Sequence, residues 1–367
     1  MRDDDVMALL HHRTARLADG DPVAEPLVAT STFRLGDQPP PDAIYGRYAT
    51  PNVEAAERRL AHLEGAPCIL SPSGMAAISG VMLALCRAGD RIVLPSDGYF
   101  HSRVVAGDTL SGLGLDVVEV PTPALAEADL SGAAMVLCET PSNPGLDLVD
   151  IAALADRAHA AEAVLVVDNT VCTGLLQRPL DLGADVVVAA DTKAAGGHSD
   201  LILGHAATRD AAMEDRLRAI RKFTGAIPGP FEAWMLSRSL ETLEIRLERM
   251  CANAAAMADA LRHAGIPVRW PGAADHPQRA LAERQMASGG LVVGAAFPSR
   301  AAADAFRDGA GLLSATSFGG THTSVDRRAR WGDAVPEGFL RIACGIEPTR
   351  PLMDAVARGL RESVTSG

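Results

Sequence analysis

Residues Val164 to Asp200 read VLVVDNTVCTGLLQRPLDLGADVVVAADTKAAGGHSD. Two apolar runs in this stretch, Val164–Val167 and Val186–Ala190, are short enough to be strands buried on both faces of a parallel sheet. Asp168 closes the first run, and Lys193 follows soon after the second. Ligands of open α/β sheets bind at the carboxyl ends of the strands. The segment therefore aims a carboxylate and an amine at one crevice.

That pair suits pyridoxal phosphate. A lysine can hold the cofactor aldehyde, and an aspartate can keep the pyridinium protonated so that the ring draws electrons from a carbanion. Burial and cationic neighbours would lower the lysine pKa enough for it to act as nucleophile and base.

At 367 residues with 48% hydrophobic composition, the chain has material for two or three packed units and is not disordered. A net charge of −12 and the absence of a basic run argue against nucleic acid as a partner. MRDDDVMALLHHR at the start has no signal-peptide core, and no segment has the ~18 uninterrupted apolar residues of a membrane span. The six cysteines (Cys68, Cys86, Cys138, Cys172, Cys251, Cys344) form no CxxC pair, and the ten histidines show no ligand spacing. Reduced thiols of a cytoplasmic, metal-free protein are expected.

Taken in order, residues 1–44 carry Pro22, Pro26 and Pro39–Pro41 and are expected to form an extended arm with at most one short helix, lying on its own subunit or on a neighbour. YGRYATPN (Tyr45–Asn52) precedes a helical pattern that stops at Gly65. After an expected strand at Cys68–Leu70, Gly74 and Met75 open an apolar helix whose free N–H groups can meet a phosphate. Strands at Arg91–Pro95 and Met135–Glu139 lead to Tyr99 and to TPSNP with Asn143. Ile151–Ala161 reads as a helix, Leu201–Thr208 as a strand and Pro230–His263 as helical. Residues 266–289 read as loop-rich. GLVVGAAF, a helix from Arg300, FLRIACG and a terminal helix then read as a smaller α+β unit. Arg341 inside FLRIACG needs an anionic partner wherever that strand lies.

YGR, SGM, SDGY, SNP, DNT, TK before GGHSD, ATSFGG and LRIACG follow one another as they do in the cystathionine γ-lyase family, the Cys/Met-metabolism pyridoxal phosphate enzymes. The chain resembles that family from about Pro22 to Leu360. The resemblance implies an α/β fold of type I, with a mostly parallel seven-stranded sheet. It implies an arm at 1–44, a large cofactor domain at 45–232 and a C-terminal domain at 233–367. It gives Lys193 and Tyr99 catalytic roles. Gly74, Met75 and Thr192 would hold the phosphate, Tyr99 would stack on the ring, and Asn143 and Asp168 would contact it. Ser317, Arg341 and Asn143 would bind the substrate carboxylate, with Arg341 as a bidentate clamp. Tyr45 and Arg47 would reach a neighbouring subunit's phosphate in a homodimer, itself expected within a tetramer.

The chain departs from the family pattern at several places. Ala190 stands where a phosphate-binding serine is usual, Phe100, His101 and Ser102 follow Tyr99, Ser239 replaces a helix glycine, and Thr316 replaces an acidic residue found in cystathionine-processing members. Elimination at a sulfur-bearing amino acid is the implied reaction, with cystathionine γ-lyase first. The alternative is a γ-replacement synthase joining an activated homoserine to a thiol. A cofactor-binding regulator without turnover is a third reading, disfavoured by the presence of Lys193, Tyr99 and Arg341.

Overall fold

The computed structural model describes residues 3–37 and 45–365. Pro39–Pro41 of the expected arm lie outside the described residues. Seven strands form the larger sheet: β1 Cys68–Ser71, β2 Arg91–Pro95, β3 Asp116–Val120, β4 Ala133–Glu139, β5 Val164–Asp168, β6 Val186–Ala189 and β7 Gly204–Thr208. Their order is β1-β7-β6-β5-β4-β2-β3, and β7 alone runs antiparallel to its neighbours.

Alternation places the helices. Leu165 and Val167 of β5 pack with Ile151 and Leu154 of helix Ile151–Ala160, whereas Val166 points the other way into the cluster of Ile78, Val81 and Met82. Both faces are therefore covered, as a continuous apolar strand requires. The edge strand β3 is only half-buried, so it carries no such apolar run. The strand expected from Leu201 begins only at Gly204, because the Leu203 N–H goes to Thr192 Oγ1 instead of the ladder.

Two further corrections concern helices. The stretch from Pro230 is two helices, Pro230–Leu240 and Leu243–His263, and the loop-rich 266–289 contains the helix Arg279–Gln285. The second sheet has five strands, β8 Val268–Arg269, β9 Val292–Ala296, β10 Leu313–Ser314, β11 Ser324–Arg327 and β12 Phe339–Ala343, in the order β10-β11-β12-β9-β8. Helices Arg300–Ala310 and Thr349–Thr365 pack against each other beside it.

Of the two placements expected for the arm, its described residues take the first and lie on their own subunit. Leu9 of α1 (Asp3–His11) is buried as that helix packs on α2 (Pro51–Glu64). Asn52 ties the arm down, accepting from Val28 N and donating to Pro26 O, both at 2.8 Å. Trp234 Nε1 donates to Glu25 O at 2.7 Å. α2 opens with Thr50 as cap and Pro51 at its first turn, and it closes at Gly65 as its sequence signals foretold. All six cysteines are free, and no described helix is long and apolar enough to cross a membrane. Among the described residues no cluster of metal-ligating side chains occurs.

Candidate active site

The carboxyl ends of the parallel strands open into a cavity of ≈ 390 Å³ whose far wall is built by the second sheet and its loops. Gly74, Met75, Tyr99, Asn143, Asp168, Thr192, Lys193, Ser317 and Arg341, all singled out in the sequence, line it. Tyr45 and Arg47 do not. The Arg47 guanidinium instead donates to Lys222 O at 3.1 Å and lies 5.7 Å from the Tyr45 ring centroid.

At one end, α3 (Gly74–Leu85) begins with Ser73 Oγ accepting from Ala76 N. The N–H groups of Gly74 and Met75 have no acceptor among the described residues, and they sit at the positive end of the helix dipole. A Cβ on Gly74 would lie 2.6 Å from the Ala190 Cβ, so only glycine lets this turn approach the lysine loop. Ala190 offers no hydroxyl here. Thr192, expected to supply one, donates its hydroxyl proton to Leu203 O at 3.1 Å. Thr170 is a cavity hydroxyl that the sequence reading passed over. Its Oγ accepts from Ala190 N at 2.8 Å, and its hydroxyl hydrogen-bonds the Asp168 carboxylate, so it ties the lysine loop to that anion.

In the middle lies Lys193. Its Nζ donates to Ser317 Oγ at 3.1 Å. Burial first, then the Arg341 charge, push its pKa down to about 8, against the opposing pull of Asp168. An amine at that pKa is a usable base and nucleophile near neutrality. Gly319, at φ 80°, lets the Ser317 loop close on this lysine, since a Cβ there would sit 2.5 Å from Ala194 N.

Asp168 ends β5 next to Glu139, its register partner at the end of β4. Glu139 also lines the cavity and went unnoticed as a site residue, because it reads as the last residue of an apolar strand. Burial raises both carboxyl pKa values, and the mutual repulsion raises Glu139 well above the usual range. Asp168 is helped to ionise by Thr170, Lys193 and His205. Glu139 thus carries the proton and Asp168 the charge. Tyr99, whose N–H donates to Glu139 Oε2 at 2.8 Å, has its phenol pKa raised by burial and by the Asp168 anion. Phe100 and His101 do not line the cavity, and the His101 ring instead lies 5.4 Å from that of Tyr99.

At the far end, Arg341 on β12 faces Asp326 on β11. Its Nη1 donates to Asn143 Oδ1 at 3.0 Å, and its Nη2 donates to the Thr316 carbonyl and, at 3.4 Å, to Asp326. Burial lowers its pKa to about 10, so it remains a cation at neutral pH.

A pyridoxal phosphate fits these residues. Orphan N–H groups at a helix start suit the phosphate, a buried anion suits the pyridinium, and an amine of pKa about 8 suits the aldehyde.

Comparison with known proteins agrees. The family model described as Cys/Met metabolism PLP-dependent enzyme matches residues 8–361. A Streptomyces coelicolor protein provisionally named a cystathionine gamma-lyase is 44% identical, over 92% of this chain and 88% of its own length. An O-succinylhomoserine sulfhydrylase of Pseudomonas aeruginosa is 37% identical, over 87% of this chain and 84% of its own. Among solved structures, a cystathionine gamma synthase from Xanthomonas oryzae in complex with cystathionine superposes with a TM-score of 0.94 at 30% identity, covering 99% of both chains.

Proposed function

The chain belongs to the Cys/Met metabolism PLP-dependent enzymes, and from that membership we propose that it is a carbon–sulfur lyase acting first on cystathionine by γ-elimination. Pyridoxal phosphate, when bound, draws electrons away from the substrate Cα and Cβ. Lys193 would hold its aldehyde, and its amine would serve as the base at Cα. Asp168 would pair with the ring nitrogen, the N–H groups of Gly74 and Met75 would receive the phosphate, and Tyr99 would lie against the ring. Arg341, with Asn143 and Ser317, takes the substrate carboxylate. We assign the cofactor to residues 45–232 and the carboxylate clamp to residues 233–367, and we place the enzyme in the cytoplasm on its six free thiols.

One observation carries the choice of a sulfur leaving group. The cavity holds a base of lowered pKa, Lys193, together with a phenol of raised pKa, Tyr99. A departing carboxylate (pKa ~4) needs no proton, whereas a departing thiolate (pKa ~8.5) does. Tyr99 keeps its proton at neutral pH and can give it to sulfur as the Cγ–S bond breaks and the bonding pair leaves with sulfur. Water then converts the remaining four-carbon fragment to 2-oxobutanoate and ammonia.

The second reading is γ-replacement on an activated homoserine, favoured by the Pseudomonas aeruginosa relative. Release of 2-oxobutanoate and ammonia should be assayed with cystathionine, methionine, cysteine and acylhomoserines, without added thiol. Release from cystathionine is expected, with Tyr99→Phe slowing sulfur release at least tenfold more than acetate release. Thioether formation from an acylhomoserine and a thiol, with no release from cystathionine, would replace the lyase with the synthase.

A further inference from the structure

We infer that Arg328 reads a second carboxylate, carried by the part of the substrate beyond the bond that breaks. This rests on the cavity being the amino-acid site just proposed, and it deepens that reading by naming the class of substrate. Arg328 follows β11 and lines the cavity. Two carboxylates fix its guanidinium: Nε donates to Asp333 Oδ2 at 2.6 Å and Nη1 to Asp326 Oδ2 at 3.0 Å. Its Nη2 donates to no described residue and is not among the buried unpartnered atoms. A guanidinium held on one side, with an open donor on the other, is already oriented for an incoming anion.

Arg328 and Arg341 are neighbours. The two share Asp326, whose Oδ2 also accepts from Arg341 Nη2 at 3.4 Å. Arg341 sits between Asn143 and the Ser317 loop, where its charge acts on Lys193. Arg328 acts on Arg341 and, of the two guanidiniums, is the one whose charge reaches the Tyr99 phenol. Sharing the cavity wall with Tyr99, it serves the group that Tyr99 protonates, at the leaving end. Substrates that carry a carboxylate there include cystathionine, which releases cysteine, and O-succinylhomoserine. Methionine and O-acetylhomoserine end in uncharged groups and gain nothing from Arg328. The acidic residue that Thr316 lacks would meet an ammonium, so Arg328 recognises the other charge of the same distal amino acid.

Binding without turnover tests this. L-2-aminoadipate and L-norleucine have matched side chains ending in a carboxylate and a methyl group, and both can be titrated calorimetrically into the holoenzyme. Wild type should bind aminoadipate at least tenfold more tightly. Arg328→Met should erase that preference and keep norleucine within twofold. Arg330→Gln removes another partner of Asp326 outside the cavity and should keep the preference. No preference in wild type, equal losses for both ligands, no binding of either, or the same loss in Arg330→Gln would each overturn the inference. Turnover then sorts the source: Arg328→Met should raise KM at least tenfold for cystathionine or for O-succinylhomoserine, with methionine and O-acetylhomoserine within twofold. A wild type that prefers aminoadipate yet releases no 2-oxobutanoate from cystathionine refutes the lyase and leaves the role of Arg328 standing.

Discussion

Glu139 and Asp168 end neighbouring strands as register partners, and two buried carboxylates so placed do not both stay ionised. Glu139 takes the proton, so an amide should replace it well. Glu139→Gln is expected to keep turnover within about threefold, ~0.65 kcal/mol in barrier. Asp168→Asn should lose at least a hundredfold in kcat at saturating cofactor, since an amide cannot hold a pyridinium. Initial rates with cofactor content read from absorbance decide it, and a collapse of Glu139→Gln would mean that Glu139 works as an anion. Asp168 and Lys193 were legible because each closes or follows a strand in one short stretch. Glu139 ends its strand just as Asp168 does, but it has no amine in the sequence beside it. Arg328 was hidden for another reason. DRRAR reads as a solvated run of charge, and only the fold shows two of its members sharing Asp326 while one faces the cavity. Thr192 failed in the opposite sense. Its hydroxyl looks available in sequence but is bonded to Leu203, whose partner strand starts later than its apolar run suggests.

Three elements meet beneath the lysine loop. Glu64 ends α2, Asp191 follows β6 and His205 sits on β7, all buried. His205 Nδ1 lies 3.0 Å from Asp191 Oδ1, and Nε2 lies 3.5 Å from Glu64 Oε1, an ion-pair distance without hydrogen-bond geometry. Burial alone would push this imidazole down, but Asp191 and Glu64 outweigh it and raise the pKa to about 10 from 6.5. A raised folded-state pKa stabilises fully below the unfolded value and loses that contribution as pH climbs to the folded one. The melting temperature of the holoenzyme should therefore fall between pH 7 and 10, and in His205→Gln it should start lower and fall less. Parallel slopes in the two proteins would mean that His205 is neutral when folded. No local pattern announces this cluster, because its members come from three separate elements. The elements themselves were easier. β5, β6 and α2 follow from apolar runs and caps, whereas the half-buried edge strand β3 and the short helix Arg279–Gln285 carry too little periodicity to be seen.

For the whole molecule, the open question is where the phosphate finds its cation. Among the described residues lining the cavity, the cations are Lys193, Arg328 and Arg341, each with another task. Arg47 stands outside its own cavity on a half-exposed tyrosine, and the arm before it is anchored to its own chain through Asn52 and Trp234. We propose that Tyr45 and Arg47 serve the phosphate of a second copy in a symmetric dimer, so that each dimer holds two shared sites. Arg47→Ala and Lys193→Ala, each inactive alone, can be unfolded and reassembled together. A mixed dimer then has one site with both defects and one site with neither. Random pairing makes about half of the dimers mixed, so about a quarter of wild-type activity should return if the sites work independently. Affinity tags of two kinds establish that mixed dimers have formed. If they form and remain dead while cofactor content is normal, Arg47 acts within its own subunit, and the phosphate is held by one chain alone.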